Sequence, residues 1–146
     1  MPDSDPHRLS RFVEAQRVVY DEAMAEIRNG RKESHWMWFI FPQVAGLGMS
    51  PTSREYAIAS RAEAEAYLAH AVLGPRLQES ARAVLDVQDR SAGEIFGGID
   101  ASKLRSSATL FAAVSPDGSV FHRIIERYFD GEMDLRTLDL IRAAGR

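Results

Sequence analysis

The stretch RKESHWMWFIFPQVAGLG, residues 31–48, sets the chain's only tryptophans, Trp36 and Trp38, directly behind a run of charged residues and a histidine. These residue types have a joint chemistry. A tryptophan ring is a wall on which a planar ligand such as a nucleobase stacks. Arg31 or Lys32 would meet a phosphate with a permanent positive charge. His35, next to aromatic surface, is the one candidate for a general acid or base, its alternative role being a structural hydrogen bonder. Trp36 and Trp38 are two residues apart, so they face opposite sides of a strand or lie far out of alignment on a helix. The two cannot line one face together, and core packing is the natural place for at least one of them.

A second segment, DASKLRSSATLFAAV at residues 100–114, carries a conflict of polarity. At helical spacing Leu104, Ala108, Leu110, Phe111 and Val114 form a broad apolar arc. Lys103, Ser106 and Ser107 fall on it or at its edge, while Arg105 and Thr109 turn away from its centre. A lysine facing inward must run its stem out to water or find an anion; inward serines can instead bond the carbonyl one turn back. The only other lysine is Lys32. These features predict one basic, aromatic-sided pocket, formed by residues 31–48 and 103–107, for a small anionic, nucleotide-like ligand. Arg31, Lys32 and Lys103 supply charge, and Ser34, Gln43, Ser106 and Ser107 hydrogen-bond. Trp36 or Trp38 forms the wall, and His35 is the single catalytic candidate. Tryptophan and arginine are also typical interface anchors, so a protein-interaction module using the Trp36/Trp38 segment, without catalysis, is the alternative. A purely structural role for both segments is a third reading.

Several familiar chemistries do not fit. GLGMSP matches neither the serine elbow nor the dinucleotide glycine pattern, since Pro51 stands where the last glycine would be. His7, His35, His70 and His122 have no metal-ligand spacing, and the absence of cysteine removes thiolate sites and disulfides. Glu63 and Glu65, like Glu132 and Asp134, read as turn or surface carboxylates. No metal and no cofactor is expected. The formal charge of −3 provides no general field for nucleic acid or an anionic membrane. The start, MPDSDPHRLS, has no apolar signal core, and no run approaches the ~20 apolar residues a membrane span needs. A cytoplasmic location is the expectation.

Positioning these groups falls to helices. With 146 residues, 45% hydrophobic and 27% charged, the chain suits one domain able to bury roughly 70% of its unfolded surface. Leu9, Phe12, Val13, Val19, Tyr20, Ala23, Met24 and Ile27 form one stripe interrupted at Gln16, with Asp5 as cap, Pro6 in the first turn and Asn29-Gly30 as the stop. Further starts are marked by Ser50-Pro51, by SRAE from Ser60, by Gly74-Pro75, by SAGE from Ser91 and by Asp100. SPDG from Ser115 is a turn. Val120, Phe121, Ile124, Ile125, Tyr128 and Phe129 make another stripe, ended by Asp130-Gly131, and Asp134 starts the last helix. Residues 35–41 suit a short helix capped by Ser34 or a buried strand, the helix being preferred. The expected fold is mainly α: a single compact domain over 1–146, of about seven or eight helices, with 31–48 irregular or a short buried helix. Residues 1–5 and 143–146 are expected to fray.

RFVEAQ, VYDEAMAEIRNGRKESHWMWFIFPQVAGLGMSPTSREYAI, AEAYLAHAVLGPRL, EIFG, KLRSSATLF and DLRTLDLI together resemble the bacterial family called domain of unknown function 1810. The resemblance runs from about Leu9 to Ile141, with SHWMWFIFPQ and KLRSS its most specific marks. It implies one mainly helical domain and no established activity. Members are sometimes labelled calpastatin, which conflicts with this chain: inhibitors of that kind are polar repeats disordered until bound, whereas here the apolar stripes suffice for independent folding.

Overall fold

The computed structural model describes residues 5–144. Among them are nine helices and no strand: α1 (Ser10–Arg28), α2 (Met37–Ile40), α3 (Pro51–Glu55), α4 (Arg61–Ala69), α5 (Leu73–Asp86), α6 (Ala92–Phe96), α7 (Gly98–Ala113), α8 (Val120–Phe129) and α9 (Leu135–Ala144). They form one core. The short helix α2 is the buried element expected within 31–48, and the chain around it is irregular. The expected fraying of residues 1–4 and 145–146 lies outside the described residues; at the remaining end positions, Asp5 is hydrogen-bonded and α9 runs on to Ala144.

Local chemistry fixes most of the helix ends. The Asp5 carboxylate accepts the N–H groups of Leu9 at 2.8 Å and Ser10 at 3.0 Å, so α1 starts at Ser10 rather than directly behind Pro6. Ser50, Ser60, Ser91 and Ser119 each accept the third N–H of the following helix, and at Ser91 the capping box is complete. At the end of α1, Gly30 takes a φ of 75°, and its N–H and that of Arg31 bond back to Ile27 and Glu26. This is a Schellman stop, which glycine adopts without the Cβ clash other residues meet at positive φ.

Helix α7 runs through the middle of the domain, packed by α4, α6, α8 and α9. That position explains a departure from the sequence reading. Thr109, expected away from the core, is fully buried and its hydroxyl accepts the Asp134 N–H at 2.9 Å, because residues 106–112 of this helix have core on every side. Gln16 likewise is no interruption of the α1 stripe. It is 2% exposed, and its amide donates to the Phe39 carbonyl at 2.8 Å and the Tyr67 hydroxyl at 3.0 Å, tying α2 to α1 and α4. Glu63, read as a surface carboxylate, is buried and pairs with Arg11 at 3.0 Å.

Candidate functional site: a cationic cleft against α7

Two attachments, one to α1 and one to α6, hold the 31–41 segment beside α7. The carboxylate of Glu26, in the last turn of α1, accepts four hydrogen bonds. They come from the N–H groups of Glu33 (2.8 Å) and Ser34 (2.9 Å), the Ser34 hydroxyl (2.6 Å) and the Trp36 indole (2.8 Å). Desolvation raises the pKa of such a carboxyl, but these donors outweigh it and hold Glu26 at about 2, against an ordinary 4.5. The second attachment is to α6: the Lys32 N–H donates to the Ile95 carbonyl at 2.7 Å, and Trp36, Phe41 and Phe96 pack as three mutually tilted rings.

The result is a cleft of about 360 Å³, lined by Lys32, His35, Met37 and Trp38 on one side and by Phe96 to Asp100 and Lys103 on the other. Its charge centre is the carboxylate of Asp100. One oxygen lies 2.7 Å from the Lys32 ammonium and the other 3.4 Å from that of Lys103, so the chain's two lysines share one anion. Each ammonium also faces a tryptophan, Lys32 at 5.1 Å from the Trp36 ring centre and Lys103 at 4.6 Å from that of Trp38. Lys32 is held hardest, with a side chain 7% exposed and a further bond to the Ser34 carbonyl at 2.5 Å, whereas Lys103 retains 24% exposure. Trp38 is fixed at its far edge, where the indole donates to the Ser53 hydroxyl at 3.2 Å.

The helix start behind the cleft is unusual. Gly97, with φ 82°, is the residue before α7 and brings no side chain to cap it. Asp100, read from sequence as that cap, lies inside the first turn and is spent on the lysines instead. A Cβ at Gly97 or Gly98 would meet no atom within 4 Å, so the uncapped turn borders open space. Its unbonded N–H groups carry the positive end of the helix dipole.

Of the residues singled out by sequence, the structure gathers Lys32, His35, Trp38 and Lys103 around the cleft and places six elsewhere. Arg31 is exposed, its N–H completing the α1 stop. Ser34 is turned to Glu26. Trp36 is fully buried and serves as the core-side tryptophan. Gln43 lies beyond Pro42, where its carbonyl accepts the Ile58 N–H at 2.8 Å beside an isolated bridge between Val44 and Ile58. Ser106 and Ser107 are buried. The Ser106 hydroxyl bonds back to the Ser102 carbonyl at 3.2 Å and lies 3.4 Å from Asp134, so the pocket ends at Lys103 rather than extending to 107. Asp100 and the Gly97–Ile99 turn were missed. Their signal was present: a helix residue shares a face with those three and four positions before it, which for Lys103 are Asp100 and Ile99.

The fold and cleft define a small all-helical domain with one lysine-paired, aromatic-sided hollow. The chain belongs to the family described as protein of unknown function (DUF1810), whose model matches residues 6–141. Among solved structures it is similar to the conserved hypothetical protein Rv1873 from Mycobacterium tuberculosis. The two are 49% identical with a TM-score of 0.92, over 94% of this chain and 99% of that one. No curated protein matches it.

Proposed function

We propose that the cleft between residues 32–38 and 96–103 binds a small anionic ligand with a planar, nucleotide-like body. The observation that carries this reading is the meeting of the only two lysines at one carboxylate on a tryptophan wall. Two ammonium groups against one carboxylate leave one positive charge unmatched, and the uncapped start of α7 adds to it. Lys32 is the fixed charge. Lys103 is the adaptable one: an incoming anion draws its ammonium off Trp38, exchanging a cation–π contact of about 0.5–1 kcal/mol for a charge-assisted hydrogen bond of about 1.5–3 kcal/mol. The ring face so vacated receives the planar body, with Met37, Phe96 and Ile99 as apolar surroundings. His35, exposed at the mouth, is the group placed to hold or move a proton.

One observation favours the protein-interaction reading: Ile99, on the same rim, is 78% exposed. Trp36 is buried and is no anchor for a partner, which leaves Trp38 and Ile99. A thermal-shift panel of nucleotides separates the two. Saturation to about 100 times Kd stabilises by about 2.7 kcal/mol, or roughly 5–10 °C for a domain of this size. That shift is expected for the wild type and is lost in Lys103→Ala and reduced in His35→Ala. A flat response across the panel overturns the ligand reading and leaves the partner surface.

A further inference from the structure

Resting on that reading, the charge balance of the cleft narrows the class of ligand. The Asp100 carboxylate lies 2.7 Å from Lys32 and 3.4 Å from Lys103, so it cannot be separated electrostatically from the cations that would meet an anion. We propose that Asp100 is the specificity-determining residue of the cleft: by cancelling one of two lysine charges it tunes the site to a singly charged group, a phosphodiester or carboxylate, over the dianion of a phosphate monoester.

Attraction to the site grows in proportion to the ligand's charge, whereas the cost of stripping water from that charge grows as its square. Doubling the ligand's charge therefore doubles the attraction but quadruples the desolvation cost, which favours the charge that just neutralises the site over a larger one. Here that is one, because two lysines face one aspartate. The lining reinforces the desolvation side, since Met37, Phe96 and Ile99 offer no hydrogen bonds from their side chains to replace lost water. A dianion would leave the cleft with an unmatched negative charge beside the Asp100 carboxylate, where like charges repel.

Adenosine 3′,5′-cyclic monophosphate and adenosine 5′-monophosphate make the test, because they share a base and differ by one charge at pH 8, where a phosphate monoester is fully dianionic. Affinities are read by calorimetry in wild type, Asp100→Asn and Lys103→Gln. Each variant is repeated with His35→Asn, so that the histidine charge does not enter the comparison. Wild type is expected to favour the cyclic monoanion. Asp100→Asn raises the site to two positive charges and improves the monoester by on the order of tenfold, with a smaller gain for the cyclic compound. Because Asp100→Asn leaves Lys32 without its carboxylate and can impair folding, Lys103→Gln provides the opposite arm: it removes the surplus charge and weakens the monoester more than the cyclic compound. A monoester preference in wild type, or an unchanged ratio in the variants, overturns the role of Asp100 while leaving the ligand site standing. Absence of binding by both nucleotides in every folded variant overturns the ligand site itself.

Discussion

Removing the Glu26 carboxylate should unpick the site from its far side. Glu26→Ala deletes four acceptors at once and leaves the indole N–H of Trp36, a residue 0% exposed, without its partner. An orphaned buried donor costs about 1–3 kcal/mol, and the lost charge-assisted bonds at the half-exposed end of the carboxylate add to it, for a total of about 3–5 kcal/mol. At this chain length that is a fall in Tm of roughly 8–15 °C. Glu26→Gln keeps one accepting oxygen, puts an amide donor where the other was, which the Ser34 hydroxyl can accept, and loses mainly the charge. Its cost follows from the pKa. A carboxyl held at about 2 instead of 4.5 stabilises the fold by about 3 kcal/mol, discounted to about 2 kcal/mol for its partial exposure. The sign is that of a depressed acid. The stabilisation is fully present above pH 4.5 and disappears as the pH falls toward 2, so the gap between wild type and Glu26→Gln should close to about 1 kcal/mol at pH 3. Urea denaturation followed by tryptophan fluorescence at pH 7 and pH 3 measures it. A cost below about 1 kcal/mol for Glu26→Ala at pH 7, or a gap for Glu26→Gln that does not narrow at pH 3, would refute the anchoring argument.

Other positions test the frame around the cleft. A Cβ at Gly74 would lie 2.2 Å from the Leu68 carbonyl oxygen, so Gly74→Ala should push α5 off α4 and cost more than about 3 kcal/mol, measured by urea denaturation. The Arg11 guanidinium donates to the carbonyls of His7, Arg8, Glu55 and Ala57 and to the Glu63 carboxylate. Arg11→Lys keeps the charge but has too few donors in the wrong geometry, and should lose about 2–3 kcal/mol by the same measurement. Ser53→Ala frees the Trp38 indole and should alter its fluorescence while changing the melting temperature by only a few degrees.

Much of the fold was legible because helix stripes and caps are local signals: the caps at Ser50, Ser60 and Ser91, the Gly30 stop and the Asp130 end follow from residues a few positions apart, whereas Ser34, read as the cap of 35–41, bonds Glu26 and leaves α2 without a side-chain cap. What was illegible is relational. Ser106, Ser107 and Thr109 belong to the part of α7, residues 106–112, that is buried on all sides, and nothing in their own sequence distinguishes that from an amphipathic helix with one polar edge. Gln16 and Glu63 looked like surface residues because their partners, Phe39, Tyr67 and Arg11, are 23, 51 and 52 residues away. At the cleft, Lys103 stood out because a lysine on an apolar arc is a local conflict. Asp100 did not, since an aspartate just ahead of a helical run is equally well explained as a cap. Only the start of α7 at Gly98, set by the backbone of Gly97, frees Asp100 for the lysines.

The most direct test of the cationic cleft is an amide chemical-shift titration of the isotopically labelled chain with adenosine 3′,5′-cyclic monophosphate. Saturating shifts should concentrate at residues 32–38 and 97–103, with the indole N–H of Trp38 moving and that of Trp36 nearly still. Shifts centred on another face, or none at millimolar nucleotide, would contradict a ligand site between the two lysines.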